Sequence, residues 1–223
     1  MPSPTSLRSF IGRGAVLLLL AVGLVACDST TPGVDPEPDL PLTRVEDLPA
    51  DPPVSTGQGR PTGTGRYTLF SLRDSSIVLR SSIPNRADSA STQWDIAFQS
   101  TNILINGGTS GPGDGAAYVA RAAFEAVDAV DTSELITDDA ETGAFAIPPG
   151  SGNGWYNYNP ETRVVSPIPG RTIVVRTADG EAYAKIRILS YYEGAPDNPA
   201  ESDAPSRHYT FEYVLQPNGT AFE

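Results

Sequence analysis

The chain has one cysteine, one histidine, one methionine and one lysine among 223 residues. Each scarcity removes a class of chemistry. A single cysteine, Cys27, has no disulfide partner within the chain, and with His208 as the sole imidazole no zinc site of Cys and His ligands can be built. A Ser-His-Asp arrangement would have to use His208, and no Gly-x-Ser-x-Gly segment exists to present the nucleophile. Lys185 is the only lysine, and no glycine-rich stretch ends in Gly-Lys-Ser/Thr, so there is no P-loop. Paired acids such as Asp138 and Asp139 have the composition for acid/base or calcium chemistry, but in so acidic a chain neighbouring carboxylates are more often simply solvated. Nothing in the residue inventory argues for an enzyme.

The N-terminus carries a targeting signal. Arg8 and Arg13 precede an apolar run from Gly14 to Ala26, too short to span a bilayer, which needs roughly 20 apolar residues. Leu24-Val25-Ala26-Cys27 matches the bacterial lipobox, with Cys27 at the position that receives lipid. Residues 1–26 therefore read as a lipoprotein signal peptide and Cys27 as a lipidated membrane anchor. Several acyl chains together hold a protein stably, where one does not. Cleavage leaves 197 residues and, by removing two arginines, moves the formal charge from −12 to −14. That charge disfavours nucleic acid as a partner and is also what keeps a surface soluble in high salt.

Residues 27–63 read as a lipidated, proline-rich acidic tether. Between Asp28 and Gly63 there is no aromatic residue, prolines recur from Pro32 to Pro61, and seven acids face two arginines. Such a stretch lacks the apolar surface to offset its ordering entropy.

Residues 64–223 have the size of one domain, and their apolar residues recur with period two. Trp94, Ile96 and Phe98 alternate with Asp95 and Ala97; Tyr209, Phe211, Tyr213 and Leu215 alternate with Thr210, Glu212 and Val214. Thr172–Thr177 and Glu181–Leu189 flank Asp179-Gly180, a hairpin signal, and Asn218-Gly219 marks a second turn. Tyr67–Leu72 and Ile77–Leu79 read as the opening strand pair. Ala116–Val130 stays open between helix, on alanine propensity, and strand, with its alternation favouring extended structure. The expected class is all-β: a single antiparallel domain. Strand parity puts His208 with Thr210 and Glu212, pointing away from the core, either as plain surface or at the edge of a ligand cleft.

Several segments together resemble the HmuY family of bacterial haem-binding lipoproteins. They are Tyr67-Thr68-Leu69-Phe70-Ser71-Leu72, Trp94-Asp95-Ile96-Ala97-Phe98, Asn106-Gly107-Gly108-Thr109-Ser110-Gly111, Trp155-Tyr156-Asn157-Tyr158, the stretch Thr172–Tyr192, and Tyr209-Thr210-Phe211-Glu212-Tyr213. The pair Trp-Asp-Ile-Ala-Phe and Asn-Gly-Gly-Thr-Ser-Gly is the specific part. The resemblance implies an all-β domain shaped like a cupped hand, displayed on the outer membrane or cell surface, with haem as cargo and a TonB-dependent outer-membrane transporter as partner. It makes the Trp-Asp-Ile-Ala-Phe strand core and the Asn-Gly-Gly-Thr-Ser-Gly loop a structural corner, neither being the haem site. Well-known members hold iron between two histidines, and others use methionine. Here Met1 leaves with the signal peptide and His208 stands alone, so the haem-binding residue expected from the sequence is His208 by itself, with a tyrosine or an apolar cleft as the other possibilities. The alternative function is a non-haem ligand-binding or structural surface lipoprotein on the same scaffold.

Overall fold

A computed structural model describes residues 40–54, 62–84 and 88–222. The signal peptide, Cys27 and most of the expected tether lie outside the described residues. Among the described residues there are eleven strands, three short 3-10 turns and no α-helix. No helix there is long and apolar enough to cross a membrane.

The first strand, β1, is Leu42–Pro49, inside the segment expected to be tether. It pairs antiparallel with the last strand, β11 (Ser206–Gln216), from Leu42 opposite Val214 to Pro49 opposite His208. The folded domain therefore starts earlier than residue 64. Prolines concealed this: they bracket β1 at Pro41 and Pro49 and leave a proline-free run between them. Pro49 is tolerated because β1 is an edge strand.

Two antiparallel sheets make the domain. The larger has the order β1-β11-β10-β9-β6, where β10 is Tyr183–Tyr192, β9 is Thr172–Arg176 and β6 is Ala116–Ala120. The smaller has the order β3-β2-β4-β5, with β2 Thr68–Ser71, β3 Ser76–Leu79, β4 Ile96–Gln99 and β5 Asn102–Ile105. A hairpin of β7 (Tyr156–Asn159) and β8 (Val164–Pro167) stands apart. The β9–β10 hairpin forms around Asp179-Gly180, with Gly180 at φ 77° in the turn. Ala116–Val130 is extended over β6 and then makes a single 3-10 turn at Phe124–Ala126.

The main core lies between the sheets. Phe70, Ile96, Phe98, Ile103 and Ile105 from the smaller sheet meet Ile173, Val175, Ala184, Ile186, Tyr209, Phe211 and Tyr213 from the larger. Phe98 stacks on Phe211 with centroids 5.6 Å apart and tilts against Tyr209 at 4.9 Å. Each such side chain contributes about 1.5–3 kcal/mol of burial. Trp155, whose Nε1–H donates to the Thr101 carbonyl at 3.0 Å, closes one end with Tyr191 and Tyr192.

One alternation breaks. Trp94 is buried, but it packs on the opposite face of the small sheet from Ile96 and Phe98, with Leu69, Leu79 and Ala97. The ladder of β4 starts only at Ile96, so Trp94 and Asp95 are not bound by its pleat. Asp95, expected on the polar side, is buried instead. Its Oδ2 accepts from Leu72 N–H and its Oδ1 from Ala178 N–H, both at 2.8 Å.

Candidate functional site

The small sheet is apolar on both faces. Its inner face feeds the core; its outer face carries Leu69 from β2, Leu79 from β3, Ala97 from β4 and Leu104 from β5, joined by Trp94 and Tyr67. A sheet face in water has no need of these residues, so their presence marks a second covered or ligand-binding surface. An open cleft of about 320 Å³ lies there, bounded also by Gly65, Arg66 and Ile83. A smaller hollow of about 110 Å³ adjoins it, sharing Tyr67 and Leu104 and reaching Phe145, Ile147 and Pro149. The volume is at the lower end for ligand sites, so the cleft suits a flat ligand seated by an edge or a face.

Polar groups in the cleft are few. Among the described residues, Arg66 is the one cation in its lining. The Arg66 Nε–H donates to the Ser81 carbonyl at 2.7 Å and Nη2 reaches the Ser82 carbonyl at 3.4 Å, which fixes the guanidinium at the mouth. Tyr67 lies between the two hollows, half-buried, and burial pushes its hydroxyl above the usual range against the opposing effect of the Asn102 side chain. Among the described residues the arrangement offers an apolar floor, one phenol and one positive charge.

His208 is elsewhere. It sits near the start of β11 opposite Pro49, half-exposed. Its neighbours in sequence, Tyr209 and Phe211, point into the core, while Val214, of its own parity, packs on the outer face of the large sheet. His208 and the cleft are therefore on opposite sides of the two-sheet stack. Its Nδ1 lies 3.1 Å from the Ser206 carbonyl, which can only accept, so Nδ1 is the donor of this contact.

The Asn-Gly-Gly-Thr-Ser-Gly loop forms a corner, and Asn106 is its centre. The fully buried Asn106 amide donates to the carbonyls of Trp94 (2.7 Å) and Ser91 (2.9 Å), and its Oδ1 accepts from Gly113 N–H (3.0 Å). Asp138 is not solvated: it is buried, and its carboxylate accepts from Ile105 N–H (3.1 Å) and Ala146 N–H (2.9 Å). Asp139 holds its own exposed turn through Thr142 and Glu141. Among the described residues no group of three His, Cys, Asp or Glu side chains is placed to hold a metal ion, and no buried side-chain polar atom lacks a hydrogen-bond partner.

A tyrosine or an apolar cleft stood among the expectations from the sequence, with no place assigned to either. The signal was there: Ile103-Leu104-Ile105 and Leu69-Phe70 are apolar at both parities, which a strand with one wet face does not need. Residues 64–213 match the profile of the HmuY protein family. No curated protein matches the chain.

Proposed function

Because the chain belongs to the HmuY family, we propose that it is a surface lipoprotein whose cargo is haem or a related porphyrin, seated in the cleft around Tyr67 and Trp94. The family is one of haem-binding surface proteins rather than enzymes. In this reading Cys27 holds the protein on the outer membrane through lipid, and the cargo passes to a TonB-dependent transporter.

The cleft itself carries the proposal. A porphyrin is a flat apolar disc with two carboxylates on one edge. The outer face of the small sheet supplies an apolar floor of Leu69, Leu79, Ala97 and Leu104, and Arg66 supplies a positive charge at the mouth; this reading departs from the expectation that the Trp94–Phe98 segment is core alone, since Trp94 and Ala97 line the cleft. In a processed chain of formal charge −14, a guanidinium held at the mouth gives an anionic edge a place to rest. Among the described residues lining the cleft, Tyr67 is the side chain able to ligate haem iron, as tyrosinate, with the metal displacing a proton that burial helps the hydroxyl to keep.

A second reading has one observation in its favour. The Nδ1–H···O contact of His208 leaves Nε2 free to bind a metal, the tautomer that ligating histidines adopt. Haem would then sit on the outer face of the large sheet with a single imidazole.

Titration of the full chain carrying Cys27→Ser with haemin, followed in the Soret band, separates these readings. The cleft predicts a high-spin complex whose spectrum changes on Tyr67→Phe and not on His208→Ala. The reverse pattern moves the site to His208. Repulsion between the acidic chain and the carboxylates of haem predicts tighter binding as salt is added. No Soret shift at any salt concentration makes the cargo something other than haem.

A further inference from the structure

Residues Ala50 and Asp51, which follow β1, are buried and lie outside the span that matches the family. Asp51 nevertheless grips the rim of the cleft. Its Oδ1 accepts from Thr64 N–H at 2.6 Å, and its Oδ2 from Gly65 N–H at 2.8 Å. The Thr64 hydroxyl lies 2.8 Å from Oδ1 and 3.0 Å from the Ser81 carbonyl, the same carbonyl that receives Arg66 Nε–H. From the other side, Arg207 of β11 donates to the Asp51 main-chain carbonyl at 2.9 Å. A Cβ at Gly63 would stand 2.3 Å from Asp51 Oδ2 and 2.7 Å from Arg207 Nη1, so any side chain there would displace the Asp51 carboxylate or the Arg207 guanidinium.

Gly65, Arg66 and Tyr67 line the cleft. We propose that Asp51 is a positioning residue of the cargo site: it fixes the backbone at Thr64 and Gly65, and so the guanidinium of Arg66 and the cleft mouth, from the N-terminal edge strand. The proposal rests on the cleft being the cargo site. A bare carboxylate at that place would repel an anionic cargo. Three hydrogen-bond donors hold this one in its ionised form, and the nearby Arg207 partly offsets its charge while it orders the mouth.

The test compares the full chain carrying Cys27→Ser, alone and with Asp51→Asn or Thr64→Val added, by haemin titration, urea unfolding, and hydrogen exchange at the Thr64 and Gly65 amides. In Asp51→Asn an NH₂ group replaces one acceptor and opposes a backbone N–H. Exchange at Thr64 and Gly65 should quicken, and haemin affinity should fall roughly tenfold at urea concentrations far below unfolding. Thr64→Val removes only the hydroxyl and should weaken haemin by about threefold; it carries the test if Asp51→Asn fails to fold. Quickened exchange with unchanged haemin affinity overturns the positioning role while leaving the cleft reading intact. Failure of the parent chain to bind haemin overturns the cleft reading and this proposal with it.

Discussion

The carboxylate of Asp95 reaches across the stack of sheets to accept a hydrogen bond from the backbone N–H of Ala178, 83 residues away, at 2.8 Å. Asp95 precedes β4 in the small sheet, and Ala178 begins the turn between β9 and β10 of the large one. Its second oxygen holds Leu72 N–H at the end of β2. One side chain thus satisfies two buried donors that no strand partner reaches. Burial pushes its carboxyl above the usual range, opposed by the two backbone hydrogen bonds. Asp95→Ala strands both N–H groups and should cost about 2–4 kcal/mol, measured as a lower urea midpoint with an unchanged slope.

Acid should act through the opposite kind of group. Burial alone would raise the carboxyl of Asp179, but bonds from Arg73 (2.6 Å), Thr177 Oγ1 and Glu181 N–H outweigh it and hold the pKa at about 2 instead of 3.8. A depressed folded-state value means that the stabilisation is complete above the unfolded value and is lost as pH falls towards the folded one. The difference in stability between wild type and Asp179→Asn should therefore be constant above pH about 5 and shrink between pH about 4 and 2. Denaturation at fixed pH values measures it. A difference that persists undiminished at pH 2 contradicts the assignment.

The corner loop should tolerate no side chain at Gly107. A Cβ there would lie 1.9 Å from the Gly115 carbonyl oxygen, a backbone atom held by its own neighbours. Gly107→Ala should destabilise by about 3 kcal/mol, while Gly143→Ala, with open space around its Cβ but a positive φ of 75°, should cost about 1 kcal/mol. Thermal unfolding of the two variants side by side tests the contrast.

Anchoring through Cys27 predicts that Cys27→Ser abolishes acylation and moves the protein from the membrane to the soluble fraction or leaves it as the uncleaved precursor. Intact-mass measurement of the native protein should show lipid on Cys27 as the first residue. An unmodified thiol there, or a mature N-terminus elsewhere, removes the anchor.

Strand alternation carried most of the fold because a strand in a two-layer stack must send every second residue inward. Tyr209, Phe211 and Tyr213 obey it, as do Ala184, Ile186 and Ile188. The rule failed where the ladder had not yet begun, at Trp94 and Asp95, and where composition hid a strand, at Leu42–Pro49. An edge strand pairs on one side only, so proline at its ends and charge along it cost little, and nothing in composition separates it from a linker. The cleft was legible in part: apolar residues at both parities of β2 and β5 announce a second covered face. Its rim was not, because Asp51 and Thr64 are brought together by the path of the chain and not by any spacing. His208 stood out for being the only residue of its kind, and scarcity says nothing about position.

The environment of Lys185 has a practical consequence for chemistry on the folded protein. The only lysine of the chain is 7% exposed, its ammonium donates to the Val127 carbonyl at 2.9 Å, and the rings of Phe124 and Phe222 flank it at 4.9 and 5.3 Å. The native surface therefore presents no side-chain primary amine. Succinimidyl labels and amine cross-linkers will pass over the folded domain, and acylation of Lys185 becomes a clock for the lifting of the Phe124–Val130 segment away from the sheet beneath it.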